Sequence, residues 1–214
     1  MLIFFVRHGL TDWNAMRRFQ GTCDIPLNET GIQQAQAAAS RCTQLHIERV
    51  YHSKLIRAAK TAEIVANVCH APLIPCPGFN EVCLGRFQGL TLEETKAKFP
   101  AESAAYFADQ EHVAPPEGES MLDLQARALR ALESVEQDAN DCERIAVVSH
   151  GALLKVLLSQ IVGLPLSSFG RFDVSNGSIS VIESHNGVRR LITLNDISHF
   201  GDPYTAMAAS RLMI

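Results

Sequence analysis

Leu2-Ile3-Phe4-Phe5-Val6-Arg7-His8-Gly9 opens the chain, and Arg144-Ile145-Ala146-Val147-Val148-Ser149-His150-Gly151 has the same form much later. Each is a short apolar run that closes on His-Gly. A continuous run of this length reads as a strand buried on both faces, with polar groups delivered at its C-terminal end. Outward from the first strand, Asn28 is a good N-cap for a helix over 29–45, with an acid early in the helix. A short strand is expected at 49–52. A helix over 55–69 follows, with Leu55, Ala58, Ala59, Ala62, Val65 and Ala66 at helical spacing. An edge strand near 73–76 lies beside Pro72 and Pro75. Around the second strand, a long amphipathic helix is expected over 121–139 and an apolar helix from Gly151 to about 162. Residues 178–183 and 189–194 alternate as a hairpin, with Asn186-Gly187 as its turn.

Strands alternating with helices predict an α/β fold: a three-layer sandwich with a mostly parallel central sheet flanked by helices. Residues 78–118 differ in character, holding Gly85, Gly89, Pro100, Pro115, Pro116 and Gly118, with short helical stretches near 91–98 and 101–110. They read as a small helical insertion over the active site, within a single domain spanning 1–214. Open α/β sheets bind ligands beyond the carboxyl ends of their strands. His8 and His150 are therefore expected in one crevice.

The bulk numbers narrow the partners. With 214 residues, 47% hydrophobic and 20% charged, the chain can bury one sizeable core. A net charge of -4 argues against nucleic acid or an anionic membrane, so attraction for an anion must come from local cations. The apolar start lacks a basic leader region and is too short to span a bilayer. The six cysteines show no C-x-x-C pair, which suits idle thiols in the cytoplasm. No H-x-H, H-E-x-x-H or acid cluster suggests a metal, so neither metal nor other cofactor is expected.

In Arg7-His8-Gly9, a neutral imidazole is a competent nucleophile toward phosphorus when nearby charge neutralises the phosphate. Arg7 offers a planar fork for two oxygens, and Gly9 lets backbone approach. Three residues recur by chance, but their context is longer. Arg7-His8-Gly9-x-Thr11-x-Trp13-Asn14, Gln20-Gly21 and Asp24-x-Pro26-Leu27-x-x-x-Gly31 resemble the opening signature of the histidine phosphatase (phosphoglycerate mutase-like) superfamily. The resemblance continues through Ser53-x-Leu55-x-Arg57-Ala58-x-x-Thr61-Ala62, Glu81, Gly85-x-Phe87-x-Gly89, Gly118-Glu119-Ser120 and Ser149-His150-Gly151, in the family's order.

The resemblance implies that His8 is phosphorylated during turnover. It implies that Arg7, Arg57 and His150 hold the phosphoryl oxygens, with Asn14 as a further donor. Glu81 matches the acid that protonates the leaving oxygen, and Gln20 and Gly21 line the mouth. Gly151 opens the helix after His150 and adds its N-terminus to the anion site. Taken singly, Arg57 reads better as a solvated helix arginine and Glu81 better as a loop acid, and His150 could be a core histidine. Their order gives them roles.

The family holds phosphatases and mutases. The stretch Glu81–Glu94 lacks the longer Arg-His-Tyr-Gly-type segment of cofactor-dependent phosphoglycerate mutases, so it resembles the phosphatase branch. The expected activity is hydrolysis of a small phosphorylated metabolite. Phosphoglycerate mutase-type transfer is the alternative, and a catalytically weak phospho-ligand binding module is a third reading. Leu10 stands where many relatives carry Glu, putting an apolar group beside the phosphate site. Glu102, Ser103, Tyr106 and Phe107 are candidates for contact with the leaving group. Many relatives are dimers, which leaves a homodimer open, and no exposed stripe marks an interface. Activity is expected to persist in EDTA; complete loss that a divalent ion restores would overturn the metal-free scheme.

Overall fold

The computed structural model describes residues 1–201, so 202–214 of the expected domain lie outside the described residues. The six strands are β1 (Leu2–Arg7), β2 (Arg49–His52), β3 (Leu73–Pro75), β4 (Arg144–Ser149), β5 (Ile179–His185) and β6 (Val188–Asp196). They form one sheet in the order β3-β2-β4-β1-β5-β6. The first four strands are parallel to one another, while β5 runs antiparallel to β1 and β6 antiparallel to β5. The sheet is thus mostly parallel. At the hairpin turn Asn186 and Gly187 have φ of 50° and 77°, the left-handed pair that a two-residue turn matching strand twist requires.

Helix α1 (Asp12–Ala15) follows β1, and α2 (Glu29–Cys42) and α3 (Ile56–Cys69) cover one face of the sheet. Their small residues Ala38, Ala39, Ala58 and Ala62 pack on Phe4, Val6, Ala146 and Val148. The alternate residues Ile3, Phe5, Ile145 and Val147 point to the other face. There they meet α6 (Met121–Asp138) and α7 (Gly151–Ile161), which supply Leu124, Leu132, Leu154 and Leu158 among others. Strands buried on both faces need unbroken apolar runs, which is why the two opening stretches read as they do.

Between β3 and α6 the chain makes the short helices α4 (Leu92–Lys98) and α5 (Pro100–Ala108). Thr91 caps α4 in a reciprocal capping box with Glu94. The insertion is strapped down at its base. Gly85, at φ 48°, lies so close to the returning chain that a Cβ would stand 2.0 Å from the Pro116 carbonyl oxygen. Arg86 N–H donates to that same carbonyl at 2.9 Å.

A second close approach sets the loop after β1. Asn28 caps α2 through Gly31 N–H (2.9 Å), and its own N–H donates to Leu10 O at 3.1 Å. A Cβ on Gly31 would sit 2.0 Å from Leu10 O, and one on Gly9 2.1 Å from Gly31 O. Neither obstacle is a flexible side chain. Gly31→Ala should therefore cost about 3 kcal/mol, well outside the gain Ala normally brings to a helix. Urea unfolding of the variant measures this, and a variant as stable as the parent would mean the two segments separate easily.

Candidate active site

The pairing of β1 with β4 determines where the histidines stand. The register runs from Leu2↔Arg144 to Arg7↔Ser149, and His8 N–H continues it by donating to Ser149 O at 3.0 Å. The next residues, His8 and His150, are neighbours, with ring centroids 5.1 Å apart and planes at 60°. On the other side of β4, the end of β2 delivers Ser53, whose N–H donates to Val148 O at 3.0 Å. Three parallel strand ends thus converge on one edge.

The hydrogen bonds assign the tautomer of His8. Its Nδ1 lies 2.7 Å from the Gly9 carbonyl, which can only accept, so Nδ1 carries the proton. Nε2 keeps its lone pair and receives Arg57 Nε–H at 3.3 Å. Arg57 is the second residue of α3. Its Nη1 and Nη2 donate to the carbonyls of Cys23 and Gly21, each at 2.7 Å. Gly21, with φ of 51°, turns its carbonyl to this guanidinium. Arg7 Nη1 donates to Val174 O at 2.6 Å, while its buried Nε has no protein partner. His150 Nε2 lies 2.7 Å from Ser53 Oγ, which in turn lies 2.9 Å from Asn80 Oδ1. His150 Nδ1 is buried without a partner.

These groups share little water. Arg7, His8, Arg57 and His150 are all at most 2% exposed. Burial pulls Arg7 down to about 10, with neighbouring Arg57 adding to the fall and Glu81 and Asp173 opposing it. Burial, and then the charges of Arg57 and Arg7, hold His8 well below the ordinary histidine range. His150 is lowered in the same way, by burial first and then by Arg57, the neighbouring His8 ring, Arg7 and Arg127. Both imidazoles are neutral at pH 7.

Glu81 stands at the N-terminus of α7. Its Oε1 accepts from Val82 and Leu153 N–H and its Oε2 from Ala152 N–H, all at 3.0–3.1 Å. Arg127 of α6 holds the preceding loop by donating to the carbonyls of Gly78 (2.8 Å), Asn80 (2.9 Å) and Glu81 (3.3 Å). Glu119 Oε1 accepts from Arg127 at 2.7 Å and from Cys83 N–H at 2.9 Å. Glu119 and Arg127 together therefore set the position of the acid.

A cavity of about 90 Å³ is lined by Arg7, His8, Asn14, Gln20, Gly21, Arg57, Glu81 and Gly151, so these expected residues face one space. His150 does not line this space; it is fully buried against the ring of His8. Asn14 Oδ1 accepts from Thr11 in the cap of α1, and Asn176 Nδ2 approaches it at 3.4 Å. That orientation leaves the Asn14 amide nitrogen as the free donor. Tyr106 and Phe107 also line the cavity, as expected of the insertion.

Three expectations need correction. Glu102 is exposed on the outer side of α5, and buried Ser103 donates to Pro100 O. Neither lines the cavity: Glu102 points to solvent, and Ser103 shares a face with Tyr106 and Phe107 but lies one turn earlier, where α5 packs on the protein rather than on the cavity. Leu10 is buried too, but it lies among the α2 contacts rather than beside the phosphate site. Sequence reading missed several further lining residues, among them Arg18, Gln110, Met121, Lys155 and Phe169. Among the described residues, no group of three or more His, Cys, Asp or Glu could share a metal ion.

A sheet edge presenting two neutral histidines and two buried arginines is built to handle a multiply charged anion. Residues 3–197 match the histidine phosphatase superfamily (branch 1), and the chain belongs to it. It is 34% identical over 205 residues to a protein of Erwinia tasmaniensis named "Probable phosphoglycerate mutase GpmB", covering 94% of this chain and 95% of that one. Bacillus stearothermophilus YhfR superposes with a TM-score of 0.86 at 32% identity, over 92% of this chain and 98% of the other. The α-ribazole phosphatase of Shigella flexneri gives 0.85 at 26% identity, over 92% and 96%.

Neutral burial of two histidines has a pH consequence. Their folded pKa values lie below the ordinary 6.5, so as pH falls through 6.5 the unfolded chain takes up protons that the fold refuses. Stability should be fully present above that pH and fall by up to about 1.4 kcal/mol per pH unit for each histidine below it. Urea midpoints between about pH 7.5 and 5.5 report this window, which lies above the range where carboxylates titrate. Burial lowers His199 as well, so His8→Asn should remove no more than about half the slope, and a flat profile in the parent would contradict neutral burial.

Proposed function

We propose that the protein is a phosphatase that hydrolyses a small phosphomonoester through a phosphohistidine on His8. The observation that carries this reading is the lone pair of His8 Nε2, turned toward the cavity beside Arg57 while Gly9 O holds the proton on the far nitrogen. Phosphoryl transfer is mainly positioning and charge stabilisation. Arg7, Arg57, Asn14 and the N-terminus of α7 at Gly151 supply donors for the three non-bridging oxygens. Ser53 Oγ donates to Asn80 and so accepts from His150 Nε2–H, and His150 Nδ1 becomes a donor to a phosphoryl oxygen only when the bound dianion draws a second proton onto the ring.

In the first step Nε2 attacks phosphorus, the Nε2–P bond forms and the P–O bond to the alcohol breaks. The departing oxygen takes a proton from the Glu81 carboxyl. A phosphate dianion and a carboxylate in one enclosed space favour such a shared proton, since two like charges at close range resist each other. The positive charge gained by the His8 ring is met by Gly9 O through Nδ1–H. In the second step water gives its proton to Glu81 and its oxygen to phosphorus, and the Nε2–P bond breaks. No step calls for a metal.

A mutase is the second reading, favoured by the name of the Erwinia relative. It differs in returning the phosphoryl group to another oxygen of the same metabolite rather than to water. Phosphorus NMR on 3-phosphoglycerate separates the two, since one yields inorganic phosphate and the other 2-phosphoglycerate. A cytoplasmic setting goes with this reading, supported by the six free thiols, of which Cys42 is pushed up to about 12 by burial.

His8→Ala should abolish turnover and the acid-labile phosphoenzyme seen after rapid quench. Glu81→Gln should cost about 100-fold or more on alkyl phosphates and less than about tenfold on p-nitrophenyl phosphate, whose leaving group needs no proton. Equal losses on both substrates would remove Glu81 from the role of proton donor.

A further inference from the structure

The segment Ser175-Asn176-Gly177-Ser178 lies against the backbone of the nucleophile and takes no part in the chemistry above. β5 is antiparallel to β1, with Val6 opposite Ile179, so the residues just before β5 run alongside Arg7, His8 and Gly9. Arg7 N–H donates to Ser178 O at 3.1 Å. Gly177 N–H is shared between Arg7 O at 3.0 Å and His8 O at 3.2 Å. The segment is also pinned from behind. Gly177 O accepts from His199 Nε2 at 3.0 Å, and a Cβ on Gly177 would stand 2.7 Å from the tip of the Phe200 ring. Ser175 N–H donates to Asn195 Oδ1 at 2.7 Å.

Asn176 is 1% exposed, and its amide nitrogen faces His8 O at 3.0 Å, Gly9 O at 3.3 Å and Asn14 Oδ1 at 3.4 Å. The carbonyls can only accept, so the nitrogen of this amide, not its oxygen, is the end turned toward them. Two of these acceptors already have work in the site. Gly9 O keeps the His8 proton on Nδ1. Asn14 Oδ1 is the end of that side chain that points away from the cavity when its nitrogen points in. One buried amide therefore touches both the carbonyl that sets the tautomer of the nucleophile and the side chain that offers a donor.

We propose that Asn176 is a positioning residue for phosphoryl transfer: its amide nitrogen fixes the Gly9 carbonyl behind His8 and the orientation of Asn14, so that lone pair and donor are aimed together. This rests on the phosphatase reading above and adds to it a residue that does not line the cavity. A carbonyl that accepts from two directions has little freedom to tilt. If Gly9 O tilts, the His8 proton is free to move to Nε2, where it blocks attack on phosphorus. With Asn176 gone, Asn14 is also free to turn its oxygen toward the phosphoryl oxygens, which replaces attraction by repulsion.

Asn176→Asp keeps the shape of the side chain and, when ionised, sets an acceptor against acceptors. The readout is the ratio of variant to parent kcat/KM on p-nitrophenyl phosphate across pH. Near pH 8 the ratio should be about 0.01, the size of loss that a misplaced reacting group brings. Burial among oxygens raises the pKa of the new carboxyl, while Arg7 and Arg57 pull it down. Once protonated it donates again, so the ratio should climb about tenfold by about pH 5.5. His8 at the end of β1 and His199 after β6, the titratable neighbours, are present in both proteins and largely cancel from the ratio. A second readout is nitrogen NMR of the His8 ring. The proton resides on Nδ1 in the parent and should be shared by both ring nitrogens in Asn176→Ala.

A ratio within about threefold of one near pH 8 means that Asn176 only fills space, and overturns the proposal. So does a loss that low pH does not reverse, when the His8 proton of the Ala variant also stays on Nδ1. Should the Asp variant fail to fold, Asn176→Ala decides alone: a shared proton supports the role and an unmoved one overturns it. A parent that does not turn over p-nitrophenyl phosphate overturns the phosphatase reading, while the NMR comparison still decides on Asn176.

Discussion

The site depends on a cluster of positive charge kept out of water with one carboxylate close by. Arg7 and Arg57 are at most 2% exposed, and removing a guanidinium from water costs several kcal/mol unless its donors are met. Backbone carbonyls of Val174, Gly21 and Cys23 meet some of them at 2.6–2.7 Å, but a carbonyl is a dipole and leaves the net charge in place. The surplus is what an anion neutralises. It also explains why the histidines between the arginines stay neutral, since a third and fourth positive charge there would add repulsion to desolvation. A neutral imidazole is the nucleophilic form, so on the proposed function the charge that would draw in a phosphate also keeps His8 ready to attack.

Such a cluster can form only on backbone that does not yield. The parallel ladder between β1 and β4 joins His8 and His150 by register rather than by a loop, and β2 adds Ser53 in the same way. Gly9 and Gly31 let the loop after β1 lie directly on α2, with no side chain between them. The carbonyls that hold Arg57 come from the stretch between that loop and α2. Packing of two glycines is therefore linked, through backbone position, to the orientation of a guanidinium some distance away.

Much of this was legible in the sequence, for physical reasons. Strands buried on both faces leave continuous apolar runs, so β1 and β4 and the histidines at their ends could be read directly. Asn28 and the Asn186-Gly187 turn signal through local chemistry that needs no tertiary information. Arg57 and Glu81 were ambiguous one by one and became readable through their order along the chain. What escaped depends on side-chain direction and on contacts between distant segments. Lys155 sits in Leu153-Leu154-Lys155-Val156-Leu157, where a lysine reads as an ordinary surface position, and only the packing of α7 shows that it points inward. Arg127 looks like any charge on an amphipathic helix until the 78–81 loop is seen lying across it. Glu102 and Ser103 were misplaced because the sequence does not show that only the C-terminal turn of α5 reaches the cavity.

The two ends of the cavity are built from different materials, and this divides their roles. On the proposed function, the phosphate end is made of strand termini, backbone carbonyls and helix starts, where a shift of an ångström would break several contacts at once. The leaving-group end is made of side chains from the insertion, from α7 and from the segment around Phe169, packed by apolar contact. A phosphoryl group is the same in every monoester, so its cradle gains from rigidity. The alcohol is what distinguishes one substrate from another, and its contacts rest on surfaces where a single side chain can change without disturbing the sheet.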